Sequence, residues 1–136
     1  MHNSNSWTHL FYGASKRNLG VAKGGEILIN LDGIIVDRYD WGLGRKTNNQ
    51  AKSYGLYFGL TLSQQKGIKE MNILGDSLLV IKNMNSSTTS QNNKLNQLLK
   101  RTFGLLPLFG HMQFFHILRS LNKEADMKSN KDFQTK

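Results

Sequence analysis

Met71-Asn72-Ile73-Leu74-Gly75-Asp76-Ser77-Leu78-Leu79-Val80-Ile81 is the stretch around which the rest of the chain is organised. An apolar run enters it, Gly75-Asp76-Ser77 turns it, and an apolar-periodic run leaves it. The pattern predicts a buried strand, a tight turn and a helix start, with Asp76 or Ser77 as the N-cap. A carboxylate at the carboxyl end of a central strand sits where open α/β sheets place their sites. An Asp before a helix is more often only a cap, so this stretch alone leaves both roles open for Asp76.

Upstream, the aromatic and apolar run from Trp7 to Phe11, ending at Tyr12-Gly13-Ala14-Ser15, predicts a first strand, followed by a polar turn over Lys16 to Gly20. Glu26 to Leu31 reads as a second strand and Ile34 to Tyr39 as its partner, joined by Asp32-Gly33, the strongest hairpin signal in the chain. Gly42 to Lys46 reads as a loop. Thr47-Asn48-Asn49 offers N-caps to a helix reaching about Gln65, in which Ala51, Gly55 and Gly59 form a small-residue stripe. Two helical glycines cost about 1 kcal/mol each relative to Ala, so the stripe predicts a close approach to a neighbouring element. Gly67 ends that helix before the Met71 strand.

Downstream, Ser77 to Met84 reads as a helix and Asn85 to Asn93 as a polar, low-complexity loop. Leu95, Leu98, Leu99, Thr102 and Phe103 follow helical spacing. His111 to Leu118 reads as a fifth strand, and a short final helix starts at Glu124-Ala125-Asp126. His111 and His116 lie five residues apart on a strand, hence on opposite faces, which argues against a two-His metal site. His2 and His9 carry no signal of their own. Three antiparallel strands, a helix, a strand, helices, a strand and a helix make an α/β fold with a mixed sheet.

Composition bounds the function. The chain has 136 residues, enough for one domain, and 38% are hydrophobic. We expect a short start over residues 1–6, a domain over 7–127 and a polar tail over 128–136. No apolar run approaches membrane-spanning length, and the start lacks the pattern of a signal peptide, so no membrane partner is expected. The absence of cysteine excludes disulfides and thiolate metal sites and fits an intracellular protein of the nucleus or cytoplasm. Eighteen Lys and Arg against 9 Asp and Glu give a formal charge of +9, a field that favours nucleic acid. The basic residues look dispersed in sequence, with no single patch.

Gly-Ala-Ser, Asn-x-Gly, a hairpin, Thr-Asn-Asn-x-Ala, Gly-Leu, Gly-Asp-Ser and Arg-x-x-Asn-x-x-Ala-Asp occur in this order from Trp7 to about Met127. The ordered set resembles a type 1 ribonuclease H domain of the variety found in plant retroelement reverse transcriptases. The resemblance implies the ribonuclease H-like fold: three antiparallel strands, then two parallel, with helices on both faces of a five-stranded mixed sheet. It implies cleavage of the RNA strand of RNA–DNA hybrids by four carboxylates holding two Mg²⁺ ions about 4 Å apart.

Carried over residue by residue, the four positions fall on Tyr12, Lys52, Asp76 and Asp126. Only Asp76 and Asp126 keep the carboxylate. Tyr12 and Lys52 replace the other two, which leaves a set suited to a single Mg²⁺ at most. Asn18-Leu19-Gly20 replaces the usual Asn-Pro-Gly, and Arg17 stands where a glycine is frequent. The resemblance also implies nucleic-acid contacts by Thr47, Asn48 and Asn49, a backbone cradle at Gly13, Ala14 and Ser15, and a phosphate contact by Arg119. Helix capping is an equal role for the first three and a solvated turn for the last. His116 falls where relatives carry a His. The expectation is a monomeric domain that binds RNA–DNA hybrid, or RNA, with its nuclease activity impaired. A weakly active one-metal ribonuclease and a retroelement remnant without a role are the other readings.

Overall fold

The computed structural model describes residues 6–86 and 93–118. Strand β1 (Trp7–Ser15) is followed by a 3₁₀ turn (Lys16–Asn18), then by β2 (Gly20–Ile29) and β3 (Ile35–Lys46). Helix α1 (Asn48–Gln65), strand β4 (Glu70–Gly75), helices α2 (Leu78–Ser86) and α3 (Asn93–Leu105), and strand β5 (His111–His116) complete the order. The sheet runs β3-β2-β1-β4-β5. β1–β2 and β2–β3 are antiparallel, whereas β4 pairs parallel to both β1 and β5. This is the predicted mixed sheet. Parallel partners need crossovers, and α1 and the α2–α3 pair supply them.

The hairpin turns at the expected place. Asn30 organises it, its side-chain oxygen accepting from the N–H groups of Asp32 (2.9 Å) and Ile34 (3.1 Å), while Gly33 takes φ +80°. Strand β2 starts at Gly20 rather than Glu26, and β3 runs through Gly42–Lys46, which the sequence suggested was loop. Gly20 pairs with Lys46 and Lys23 with Gly42, with irregularities between Ala22 and Lys23 and between Leu28 and Ile29. Glycine-rich, polar segments have low strand propensity. Here their bareness is needed, because a Cβ on Gly25 would lie 2.3 Å from Tyr12 Cζ and one on Gly24 would lie 2.7 Å from the Ala51 carbonyl oxygen.

The small-residue stripe of α1 makes the predicted close approach. A Cβ on Gly55 would sit 2.6 Å from the backbone oxygens of Tyr12 and Gly25, so the helix backbone lies directly on β1 and β2. Farther along, Leu56 and Leu60 join Phe11, Leu28, Met71, Ile73, Val80, Met84 and Leu99 in one buried cluster. α2 and α3 close that cluster on the face α1 covers. On the other face Leu10 and Ile27 are also buried. The expected final helix and the limits of the domain at both ends lie outside the described residues. Among the described residues no helix is long and apolar enough to cross a membrane.

Candidate nucleic-acid interface and carboxylate site

Three elements meet at the carboxyl ends of β1 and β4: the end of β1, the first turns of α1 and the turn between β4 and α2. Thr47 starts α1 with a capping box. Its hydroxyl accepts the Gln50 N–H at 3.1 Å, and the Gln50 side chain accepts the Thr47 N–H at 2.9 Å. Asn48 ties the helix start to β1, its Oδ1 accepting the Ser15 N–H at 2.8 Å. Asn48 N–H donates to Asn18 Oδ1 at 2.8 Å, so the 3₁₀ turn is held to the same place. Asn49 Oδ1 accepts the Ser77 hydroxyl at 3.0 Å, which ties α1 to the β4–α2 turn.

Capping by Thr47 leaves part of the Asn48 and Asn49 side chains unused inside the protein. Both asparagine oxygens are consumed inside the protein, so each planar amide aims its NH₂ away from that bond. Neither NH₂ has a partner among the described residues. What remains is a pair of half-buried donors beside a turn, suited to phosphate, 2′-hydroxyl or base acceptors. Gly13, Ala14 and Ser15 lie at the β1 end as expected, but they pair with β2, and the Ser15 N–H is spent on Asn48.

The role of Asp76 separates from that of Ser77. Ser77 is the N-cap of α2, its hydroxyl accepting the Val80 N–H at 3.2 Å. Asp76 is therefore free of capping. Its partner is Lys52, one turn past Asn48 on α1, whose Nζ lies 3.3 Å from Asp76 Oδ1. Both side chains are nearly covered, at 12% exposure for Lys52 and 8% for Asp76, and Oδ1 accepts no hydrogen bond among the described residues. The contact is a charge pair that leaves this corner formally neutral.

Tyr12 goes elsewhere. It crosses Gly25 toward β3, where its hydroxyl donates to Asp40 Oδ1 and accepts from Arg38 Nε at 3.1 Å. The Arg38 guanidinium also lies 5.5 Å from the Tyr12 ring centroid. Burial, together with the Asp40 carboxylate, pushes the phenol well above its ordinary range, so it stays neutral. The backbone of β1 meets the turn of α1 that carries Lys52, while the Tyr12 hydroxyl serves the β1–β3 side. Asp126 and Arg119 lie outside the described residues.

Magnesium asks for an oxygen shell rich in carboxylates. Of Tyr12, Lys52 and Asp76, only Asp76 offers a carboxylate, and an ammonium already stands against it. Among the described residues no cluster of three His, Asp or Glu could hold a metal ion. The described residues of this set offer a divalent ion one carboxylate, and that carboxylate is paired with Lys52.

Two features depend on residues distant in sequence. Five of the eighteen basic residues lie together in space. Exposed Lys16, Arg17, Lys23 and Arg45, with half-buried Lys46, collect where the 3₁₀ turn meets the ends of β2 and β3. The signal was the placement of acids, since residues 1–25 and 41–69 contain none. In that turn Arg17 and Asn18 both adopt left-handed backbone, φ +56° and +49°. The former is strained relative to the glycine it replaces in the resemblance.

The second feature is His9. It is fully buried, with Nε2 3.4 Å from Oε2 of equally buried Glu26. Burial pushes His9 down to about 3 and Glu26 up to about 8. Both are therefore neutral at pH 7, and the contact is an imidazole against a carboxylic acid rather than an ion pair. A Cβ on Gly59 would lie 2.6 Å from Glu26 Oε2, so α1 closes over the pair.

Residues 10–132 match a protein family described as reverse transcriptase-like. The chain is 33% identical over 120 residues to a ribonuclease HI of Halobacterium salinarum, covering 88% of this chain and 60% of the relative. It is 26% identical over 121 residues to an Arabidopsis thaliana protein carrying a ribonuclease H designation, covering 89% of this chain and 19% of the other. It thus spans three fifths or less of the curated relatives it matches. The crystal structure of RNase H1 from H. salinarum superposes with a TM-score of 0.83 at 32% identity, over 90% of this chain and 92% of that one. LC11-RNase H1 in complex with RNA/DNA hybrid has the same fold, with a TM-score of 0.81 at 21% identity over 90% and 92% of the two chains.

Proposed function

Because the chain belongs to the reverse transcriptase-like family and has the ribonuclease H fold, we propose that it is an RNA–DNA hybrid-binding domain whose hydrolytic centre is disabled. Ribonuclease H homologues are metal-dependent, generally on Mg²⁺. The observation that carries the proposal is the Lys52–Asp76 pair at 3.3 Å. Hydrolysis by two metals needs carboxylates that gather divalent ions and stabilise the attacking and leaving oxygens. Here an ammonium opposes the one described carboxylate and the phenol of Tyr12 is bound to Asp40. Every 1.36 kcal/mol of lost transition-state stabilisation is tenfold in rate, so losing even one metal is severe.

The binding side is better preserved. Asn48 and Asn49 present NH₂ donors from a fixed helix start, and the acid-free cationic end of the sheet lies next to them. A fold neighbour is seen with RNA/DNA hybrid bound, which supports the choice of ligand. The proposal is tested by hybrid binding across a salt series. Affinity should fall steeply, with a log–log slope of about −0.9 per phosphate contact, the B-DNA value. Failure to bind hybrid at low salt would overturn it.

A further inference from the structure

Resting on that reading of the domain, we propose that the Lys52 ammonium serves as a resident countercation at Asp76, letting the domain hold polynucleotide without any divalent ion and touching the backbone phosphate itself.

A carboxylate at 8% exposure needs a positive partner, because burying an unpaired charge is costly. In a metal-dependent site that partner is the metal, which also neutralises the incoming phosphate. Here Lys52 is built in. Its backbone is fixed by the α1 start, where Asn48 is bound to Ser15 and Asn49 to Ser77. Asn49 and Lys52 are three apart on the helix and share a face, so both reach the β4–α2 turn: Asn49 to Ser77 and Lys52 to Asp76.

The pair is also lopsided as a structural ion pair. Asp76 Oδ1 accepts no well-formed hydrogen bond, and an ammonium has three donors. The ammonium lies 3.3 Å from Asp76, and the 12% exposure of the Lys52 side chain leaves an approach for an anion. A phosphate oxygen at that edge would complete the ammonium's donors much as a carboxylate would. Asn48 lies four residues back on the same helix face.

The test measures affinity for a labelled RNA–DNA hybrid in EDTA and in MgCl₂ at matched ionic strength. The unmodified protein should bind equally in both, and calorimetric titration with MgCl₂ alone should show no binding. Lys52→Gln should weaken binding about tenfold in EDTA, the worth of one charge-assisted hydrogen bond. It should lower the salt slope by about 0.9 and regain affinity in MgCl₂, once Asp76 is open to a cation. Lys82→Gln, which removes an exposed lysine on α2, controls for the loss of one charge and should leave the slope as it was. If Lys52→Gln does not fold, the unmodified protein still decides the matter. Binding that requires Mg²⁺, or a Lys52→Gln variant indistinguishable from Lys82→Gln, overturns the role of Lys52 and leaves the binding function standing. Failure to bind in either buffer overturns the binding function, and this role with it.

Discussion

Replacing Glu26 by Gln should make the protein more stable at alkaline pH, and the magnitude follows from the core. Glu26 and His9 are fully buried 3.4 Å apart. Burial raises the Glu26 carboxyl from 4.5 to about 8, so the folded state holds a proton that the unfolded state releases. Stability is then present below pH 4.5 and lost as pH rises toward 8. Burial lowers His9 from 6.5 to about 3, so the folded state refuses a proton that the unfolded state binds. Stability is full above pH 6.5 and lost as pH falls toward 3. Between pH 4.5 and 6.5 the two slopes cancel. From pH 6.5 to 8 only Glu26 acts, over 1.5 units at 1.36 kcal/mol each, so these groups cost about 2 kcal/mol.

Against a total stability on the order of 5–15 kcal/mol, that loss is readily measured by urea unfolding. Glu26→Gln keeps the shape and a donor for the imidazole but cannot ionise. Relative to the unmodified protein it should gain about 2 kcal/mol between pH 6.5 and 8. Other titrating groups cancel in the difference. An equal pH slope in the two proteins would show that the pair holds no proton above pH 6.5, with Glu26 ionised beside a neutral His9, and would overturn this assignment.

Arg17→Gly should raise stability by about 1 kcal/mol in urea unfolding, because Arg17 holds left-handed backbone that glycine adopts without strain. Ser77→Ala should cost about 1 kcal/mol through loss of the α2 cap, and it should also weaken hybrid binding, since the same hydroxyl positions Asn49. Tyr12→Asp and Lys52→Glu should each give near-background cleavage, whereas the double variant should show clear Mg²⁺-dependent cleavage in a gel assay. Groups that act as a unit behave non-additively in this way.

Legibility in the sequence followed how local each signal was. The Asp32-Gly33 turn, the Thr47 cap, the Gly55 and Gly59 approach and the Leu95–Leu99 periodicity depend on near neighbours, and each stands where the residues indicated. The ends of β2 and β3 were missed because their glycines are set by Tyr12 and α1, partners distant in sequence. The His9–Glu26 pair was missed for the same reason, since neither residue alone announces burial. Tyr12 and Lys52 stand out only through the resemblance carried by the ordered motifs. What each side chain does instead, Tyr12 with Asp40 and Lys52 with Asp76, needed the register of the sheet and the reach of α1. The basic end was hidden because its cations come from three segments.

Binding of hybrid and cleavage of its RNA strand can be followed in one reaction. A hybrid labelled on its RNA strand, incubated with excess protein in MgCl₂ at low salt, is split between a native gel and a denaturing gel. A domain that binds without cutting gives a shifted complex on the native gel and an intact RNA strand on the denaturing gel at times when Tyr12→Asp/Lys52→Glu has cleaved it. Mg²⁺-dependent cleavage by the unmodified protein at a rate close to that of the double variant would contradict the proposed function.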